Sequence, residues 1–168
     1  MNNIKNLKFI GNKSFFLIAG PCIIESREET LEIANTLKSI TDKLEIPFIF
    51  KGSFKKANRT RLNSFTGIGD EIALNILKDV KEKLKIPIIT DVHSIDDIKK
   101  VKDIVDIIQV PAFLCRQTDL LTYAAETRKC INIKKGQFLS PESMNYAIDK
   151  ITSNNNNNVL VTERGSMF

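Results

Sequence analysis

Short apolar runs alternate with longer amphipathic stretches along this chain, and the two patterns predict different elements. Phe15–Gly20 (FFLIAG) reads as a buried strand, followed by a helix over Arg27–Leu44 with Leu31, Ile33, Ala34 and Leu37 on one face. Pro47–Phe50 is the next strand, and Asp70–Leu84 the next helix, with Ile72, Leu74, Ile76, Leu77 and Val80 turned inward. Ile86–Val92 reads as a strand and Ile95–Val101 as a short helix opened by Ser94 as N-cap. The remaining elements are strands at Asp106–Ala112, Ile131–Lys134 and Val159–Thr162, with helices at Asp119–Thr127 and Pro141–Thr152. The last helix has Ser140 as its expected cap and Pro141 in its first turn.

Six nearly continuous apolar strands separated by helices predict an α/β class with a parallel sheet buried on both faces. Six strands suffice for a doubly wound sheet and fall short of a closed (β/α)8 barrel. No linker divides residues 1–168, which read as a single domain. The one low-complexity segment, Asn154–Asn158, is expected to be a tolerated loop insertion or a coding bias.

Polar residues follow each strand. Cys22 and Glu25 come after the first, and the basic loop Phe50–Arg61 (FKGSFKKANRTR) after the second. Asp91 and His93, the only histidine, come after the third; Gln109, Pro111, Ala112, Phe113 and Arg116 after the fourth. Lys134 and Lys135 close the fifth strand, and Glu163 and Arg164 follow the sixth. Ligands of α/β folds bind at the carboxyl ends of parallel strands. Lys51, Lys56, Lys134 and Arg164 are therefore expected to converge on an anion.

Composition narrows the ligand. An apolar content of 42% and a charged content of 27% fit a globular chain, and the net charge of +5 suits either small anions or nucleic acid. Aromatic residues make up only 7% and tryptophan is absent, which argues against nucleic acid as partner. Three cysteines without a C-x-x-C pair speak against a disulfide framework. No apolar run nears the ~20 residues of a membrane span, and the first 21 residues lack a convincing signal sequence, so no membrane partner and a cytoplasmic location are expected. Cys22 is either an inert thiol or a metal ligand, and His93 either a structural histidine or a partner of Asp91; Cys115 and Cys130 read as structural. Glu25 and Glu163 read as ion-pair partners that hold cations in place.

Taken together, IAGPCIIES, FKGSFKKANRTR, TDVHS, IIQVPAFLCRQTDLL, INIKKGQFLSPESM and VTERGSMF resemble the 3-deoxy-D-manno-octulosonate 8-phosphate synthases. The related heptulosonate 7-phosphate synthases share the AGPC element but carry KPRT where this chain has Lys56-Ala57-Asn58-Arg59. The resemblance implies a (β/α)8 TIM barrel, incomplete here with about six of its eight β/α units. It implies condensation of phosphoenolpyruvate with D-arabinose 5-phosphate, as in lipopolysaccharide core sugar biosynthesis. Lys51, Ser53, Lys56, Lys134 and Arg164 would clamp phosphoenolpyruvate, with Gln109, Pro111, Ala112 and Phe113 lining the same pocket. Asn58, Arg59 and Thr60 would hold the sugar phosphate, Arg116 would reach its phosphate across a homotetramer interface, and Asp91 and His93 would sit near the sugar. Cys22 matches the metal-dependent branch, whose divalent ion would be zinc, iron or manganese.

The chain also departs from the pattern. The family's other metal ligands, a histidine, a glutamate and an aspartate, come from strand ends beyond Val159–Arg164, and Thr66 stands where an arginine is usual. These departures predict that the 168 residues alone show no turnover, and a non-catalytic anion-binding remnant is the competing expectation.

Overall fold

The computed structural model of the protein describes residues 4–11 and 15–167. Among them six strands and five helices alternate: β1 Leu17–Ala19, α1 Arg27–Lys43, β2 Phe48–Lys51, α2 Asp70–Leu84, β3 Ile88–Asp91, α3 Ile95–Val101, β4 Ile107–Val110, α4 Thr118–Glu126, β5 Cys130–Lys134, α5 Met144–Thr152 and β6 Val159–Thr162. The chain packs as two compact units that divide between Thr90 and Asp91.

In the first unit β1 pairs with β2 (Leu17 with Phe48) and β2 with β3 (Phe50 with Ile88), both parallel. In the second, β4 pairs with β5 (Gln109 with Asn132) and β5 with β6 (Lys134 with Thr162), again parallel. This succession of parallel β/α units is that of an incomplete (β/α) barrel. Strands β2 to β5 are almost wholly buried, with Ile49, Phe50, Ile88, Ile89, Ile107, Ile108, Ile131 and Ile133 fully so. Each such side chain contributes about 2 kcal/mol of burial. No helix of the described residues is long and apolar enough to cross a membrane.

Local chemistry sets the element ends. Ser26 caps α1 by accepting the Glu29 amide at 3.2 Å, and Ser94 caps α3 by accepting the Asp97 amide at 3.1 Å. Arg27 pairs with Asp79, joining α1 to α2. β4 stops at Val110 because Pro111 has no N–H for the ladder, and Ala112–Leu114 turns into a short 3-10 segment.

Three expectations change. The last helix begins at Met144, not Pro141, because Ser143, Met144 and Asn145 donate to the carbonyls three residues back, at 3.2, 3.1 and 3.1 Å, making a tight turn first. Ile72 is exposed: it falls just outside the stripe of α2 that buries Ala73, Leu74, Ile76, Leu77 and Val80. The asparagine run is no passive insertion. Asn156 is buried, and its Nδ2 donates to the carbonyls of Ala125 (3.1 Å) and Lys129 (2.9 Å) while its Oδ1 accepts the Asn158 amide (3.0 Å).

Gly20, just past β1, is required by a close approach. A Cβ there would stand 1.9 Å from the Lys51 carbonyl oxygen, which no rotamer relieves. Gly20→Ala is expected to cost about 3 kcal/mol or more in urea unfolding. Gly69→Ala, where a Cβ meets nothing within 4 Å and the positive φ of 103° is the sole strain, is expected to cost clearly less; equal losses would refute the close approach as the reason for glycine.

Candidate active site

In the first unit the backbone fixes the strand end. The Gly52 amide donates to the Ile89 carbonyl (3.2 Å), the Thr90 hydroxyl to the Gly52 carbonyl (2.7 Å), and the Ile24 amide to the Ser53 carbonyl (3.0 Å). Lys51 is thereby aimed: its Nζ donates to Ser53 Oγ at 2.5 Å and approaches the Cys22 carbonyl at 3.4 Å. Ser53 is buried and Lys51 half-buried.

The basic loop that follows is of a different kind. Phe54 is buried beneath its start, with the Lys55 ammonium 5.6 Å from the ring centroid. The Lys56 amide donates to the Thr66 carbonyl at 3.0 Å, and Arg59 Nη1 to the Leu62 carbonyl at 3.4 Å. Lys56, Asn58, Arg59 and Thr60 all have exposed side chains. The loop presents these side chains to solvent.

Cys22 is exposed, whereas Cys115 and Cys130 are buried, and burial pushes the Cys130 thiol up to about 11. Among the described residues no three His, Cys, Asp or Glu side chains gather where a metal ion would sit. Cys22 is thus a single donor, which by itself does not fit a selective metal site.

In the second unit side chains link strand to strand. Gln109 Nε2 donates to Asp91 Oδ1 (2.5 Å), Asn132 Nδ2 to Gln109 Oε1 (3.0 Å), and Thr162 Oγ1 to Asn132 Oδ1 (2.9 Å). The row thus runs from the end of β3 through β4 and β5 to β6. Asn132 and Thr162 were not among the sequence candidates. Their signal was a polar residue inside an otherwise apolar strand, as in Cys130–Lys134. Lys134 is half-buried, at the β5 position paired with Thr162.

His93 is set against α3. Its amide donates to Asp97 Oδ2 at 2.9 Å, and its ring Nδ1 stands 3.7 Å from the same oxygen. Pro111 and Ala112 are half-buried, while Phe113 is 71% exposed. Arg116 lies beside a cavity of about 340 Å3 that it lines with Tyr146 and Lys150; Lys150 Nζ donates to its carbonyl at 3.0 Å.

The unexpected cation is Lys135. It is only 1% exposed, and its Nζ faces the carbonyls of Gly136 (3.3 Å), Leu139 (2.9 Å) and Gly165 (3.0 Å) and the Ser166 hydroxyl (3.2 Å). Glu163 lies 3.5 Å away, and its Oε1 accepts the amides of Arg164 (2.8 Å) and Gly165 (2.6 Å). The loops after β5 and β6 are thus fastened on one ammonium, and Arg164 is carried, exposed, on the turn so formed. The Gly165 amide, ahead of that of Arg164, holds the Glu163 carboxyl below its ordinary 4.5. Of the two expected ion-pair glutamates, Glu163 has its cation.

The profile of the DAHP synthetase I family matches residues 3–168. Three curated relatives, from Desulfosudis oleivorans, Fusobacterium nucleatum and Trichlorobacter lovleyi, are each named 2-dehydro-3-deoxyphosphooctonate aldolase. They are 48%, 50% and 48% identical over 98%, 100% and 99% of this chain. The aligned part is 59%, 61% and 61% of their own length, so the chain spans about three-fifths of these relatives.

Two outcomes are expected from this geometry. A thiol reagent should label Cys22 in the folded chain and reach Cys115 and Cys130 only after unfolding; early labelling of Cys130 would contradict its burial. The Glu163 hydrogen bonds belong to the charged form of a group whose value is lowered on folding. They are complete above the ordinary 4.5 and lost as pH falls through the lowered folded value. The amide proton shifts of Arg164 and Gly165 should titrate together below pH 4.5, and Glu163→Gln should abolish the titration.

Proposed function

Because the chain belongs to the DAHP synthetase I family, we propose that it carries the strand-end groups of a 3-deoxy-D-manno-octulosonate 8-phosphate synthase. The observation behind this reading is identity of about one half, across nearly all of the chain, with relatives that share one name. That name is an octonate aldolase, which disfavours the heptulosonate alternative.

In this reading Lys51, Ser53, Lys56, Lys134 and Arg164 take the phosphate and carboxylate of phosphoenolpyruvate, and Gln109, Pro111, Ala112 and Phe113 line its pocket. Asn58, Arg59 and Thr60 take arabinose 5-phosphate, with Asp91 and His93 near its aldehyde end. Arg116 reaches the sugar phosphate in a neighbouring subunit of a homotetramer. Its exposure beside an open cavity is compatible with that role.

The chemistry asks for many cations. Two like charges ~4 Å apart repel by about 4 kcal/mol at an effective dielectric of ~20, and each substrate carries more than one. Fixed ammonium and guanidinium groups offset this repulsion and hold the two anions in line for reaction. The terminal carbon of phosphoenolpyruvate attacks the aldehyde carbon, forming the new carbon–carbon bond, and the aldehyde oxygen takes a proton. Water adds to the adjacent carbon and gives up a proton. Phosphate then leaves with cleavage of its carbon–oxygen bond, and the hydroxyl left on that carbon gives up its proton as it becomes the ketone carbonyl. A divalent ion held by Cys22 together with further donors would supply Lewis-acid chemistry to water or to the aldehyde. Cys22 is the donor this reading assigns to such an ion. Lipopolysaccharide core sugar synthesis in the cytoplasm is the setting this reaction implies.

Calorimetric titration of the chain with phosphoenolpyruvate tests the reading. Binding is expected, and Lys51→Met should weaken it about tenfold or more through loss of a charge-assisted contact. Phosphate release on adding arabinose 5-phosphate would extend the reading to catalysis by these residues alone. Binding without release would assign them anion capture only. No binding, with salt-steep association to DNA in its place, would overturn it.

A further inference from the structure

The row Asp91–Gln109–Asn132–Thr162 has a direction, and one residue sets it. A carboxylate only accepts hydrogen bonds. Gln109 must therefore turn Nε2 toward Asp91 Oδ1 (2.5 Å), which leaves Oε1 for Asn132 Nδ2 (3.0 Å). Asn132 is then left to offer Oδ1, and Thr162 donates its hydroxyl proton to it (2.9 Å). Gln109 and Asn132 are 3% and 2% exposed, so water does not relieve a reversed amide, which would set donor against donor or acceptor against acceptor.

We infer that Asp91 is a positioning residue: through Gln109 and Asn132 it commits the single hydroxyl proton of Thr162 and so makes that oxygen an acceptor beside Lys134. Thr162 and Lys134 occupy paired positions of β6 and β5. An oxygen with its proton engaged attracts an ammonium and repels the oxygens of a phosphate or carboxylate. Anion binding at this strand end is thereby confined to the cation, and Thr162 is excluded as a competing donor. That use of the acceptor rests on the synthase reading; the direction of the row does not. It also gives Asn132 and Thr162 roles that their strand positions alone do not reveal.

The test exchanges the two ends of the first link. Asp91→Asn removes the residue that dictates direction, so the row is free to run either way, and the side-chain amide signals of Asn132 in 15N–1H spectra should shift or double. Gln109→Glu sets two carboxylates against each other and should lower the melting temperature by roughly 3–8 °C. The double variant Asp91→Asn/Gln109→Glu again joins a donor to a carboxylate, and the carboxylate now at position 109 still accepts from Asn132. It should restore the Asn132 signals and most of the melting temperature. Phosphoenolpyruvate affinity should rise about threefold in Asp91→Asn, where the freed Thr162 hydroxyl can donate to the anion, and adding Thr162→Val should remove that gain. An unchanged Asn132 signal in Asp91→Asn, or a double variant no more stable than Gln109→Glu, overturns the directed row. A gain that persists when Thr162→Val is added to Asp91→Asn overturns the positioning role, since the charge of Asp91 would then act on the ligand itself. Should the unaltered chain not bind phosphoenolpyruvate, the synthase reading fails while spectra and melting still decide the row.

Discussion

Strands buried on both faces admit a polar side chain only where a neighbour satisfies it, because an unpaired buried group costs about 1–3 kcal/mol. Much of this chain follows from that constraint. Gln109 and Asn132 sit inside the apolar strands β4 and β5, and each finds its partner on the next strand. Thr90 meets the same demand by closing on the Gly52 carbonyl, and Lys135 by collecting the oxygens of two loops. The groups that survive burial are, by the same token, held in place, which is what a binding site needs.

The two units meet the demand differently. In the first, backbone bonds around Gly52 and Ser53 hold one lysine, and the remaining cations ride on an exposed loop. In the second, side chains bond to one another in a row, and a buried ammonium fastens the turn that carries Arg164. The first unit thus fixes its strand end through the backbone and the second through side chains.

Much of this was legible in the order of residues alone. The period of apolar residues located all six strands, and the caps at Ser26 and Ser94 lie where serine before an acidic turn signals a helix start. The polar strand ends were visible too, because they interrupt apolar runs. What escaped depended on packing rather than pattern. Nothing in a Lys134–Lys135 doublet says which lysine is buried; that depends on loop oxygens up to 31 residues away. Ile72 reads like its neighbours on α2, yet the helix stripe passes it by. Pro141 satisfies every rule for a first helical turn, but bonds of the shorter 3-10 kind take that stretch first. The substrate roles of the exposed loop residues came only from resemblance, since exposure itself carries no chemical identity.

The five asparagines before β6 are uniform in letter and unlike in task. Asn154 bonds back to the Lys150 carbonyl, Asn155 takes a left-handed backbone (φ 56°), and Asn156 bridges α4 to the start of β5. A slip in the length of such a run adds or drops one asparagine. Here such a slip would leave the composition of the run nearly unchanged and still hand each task to a neighbour in the wrong place. A run of one letter is thus read by the fold position by position.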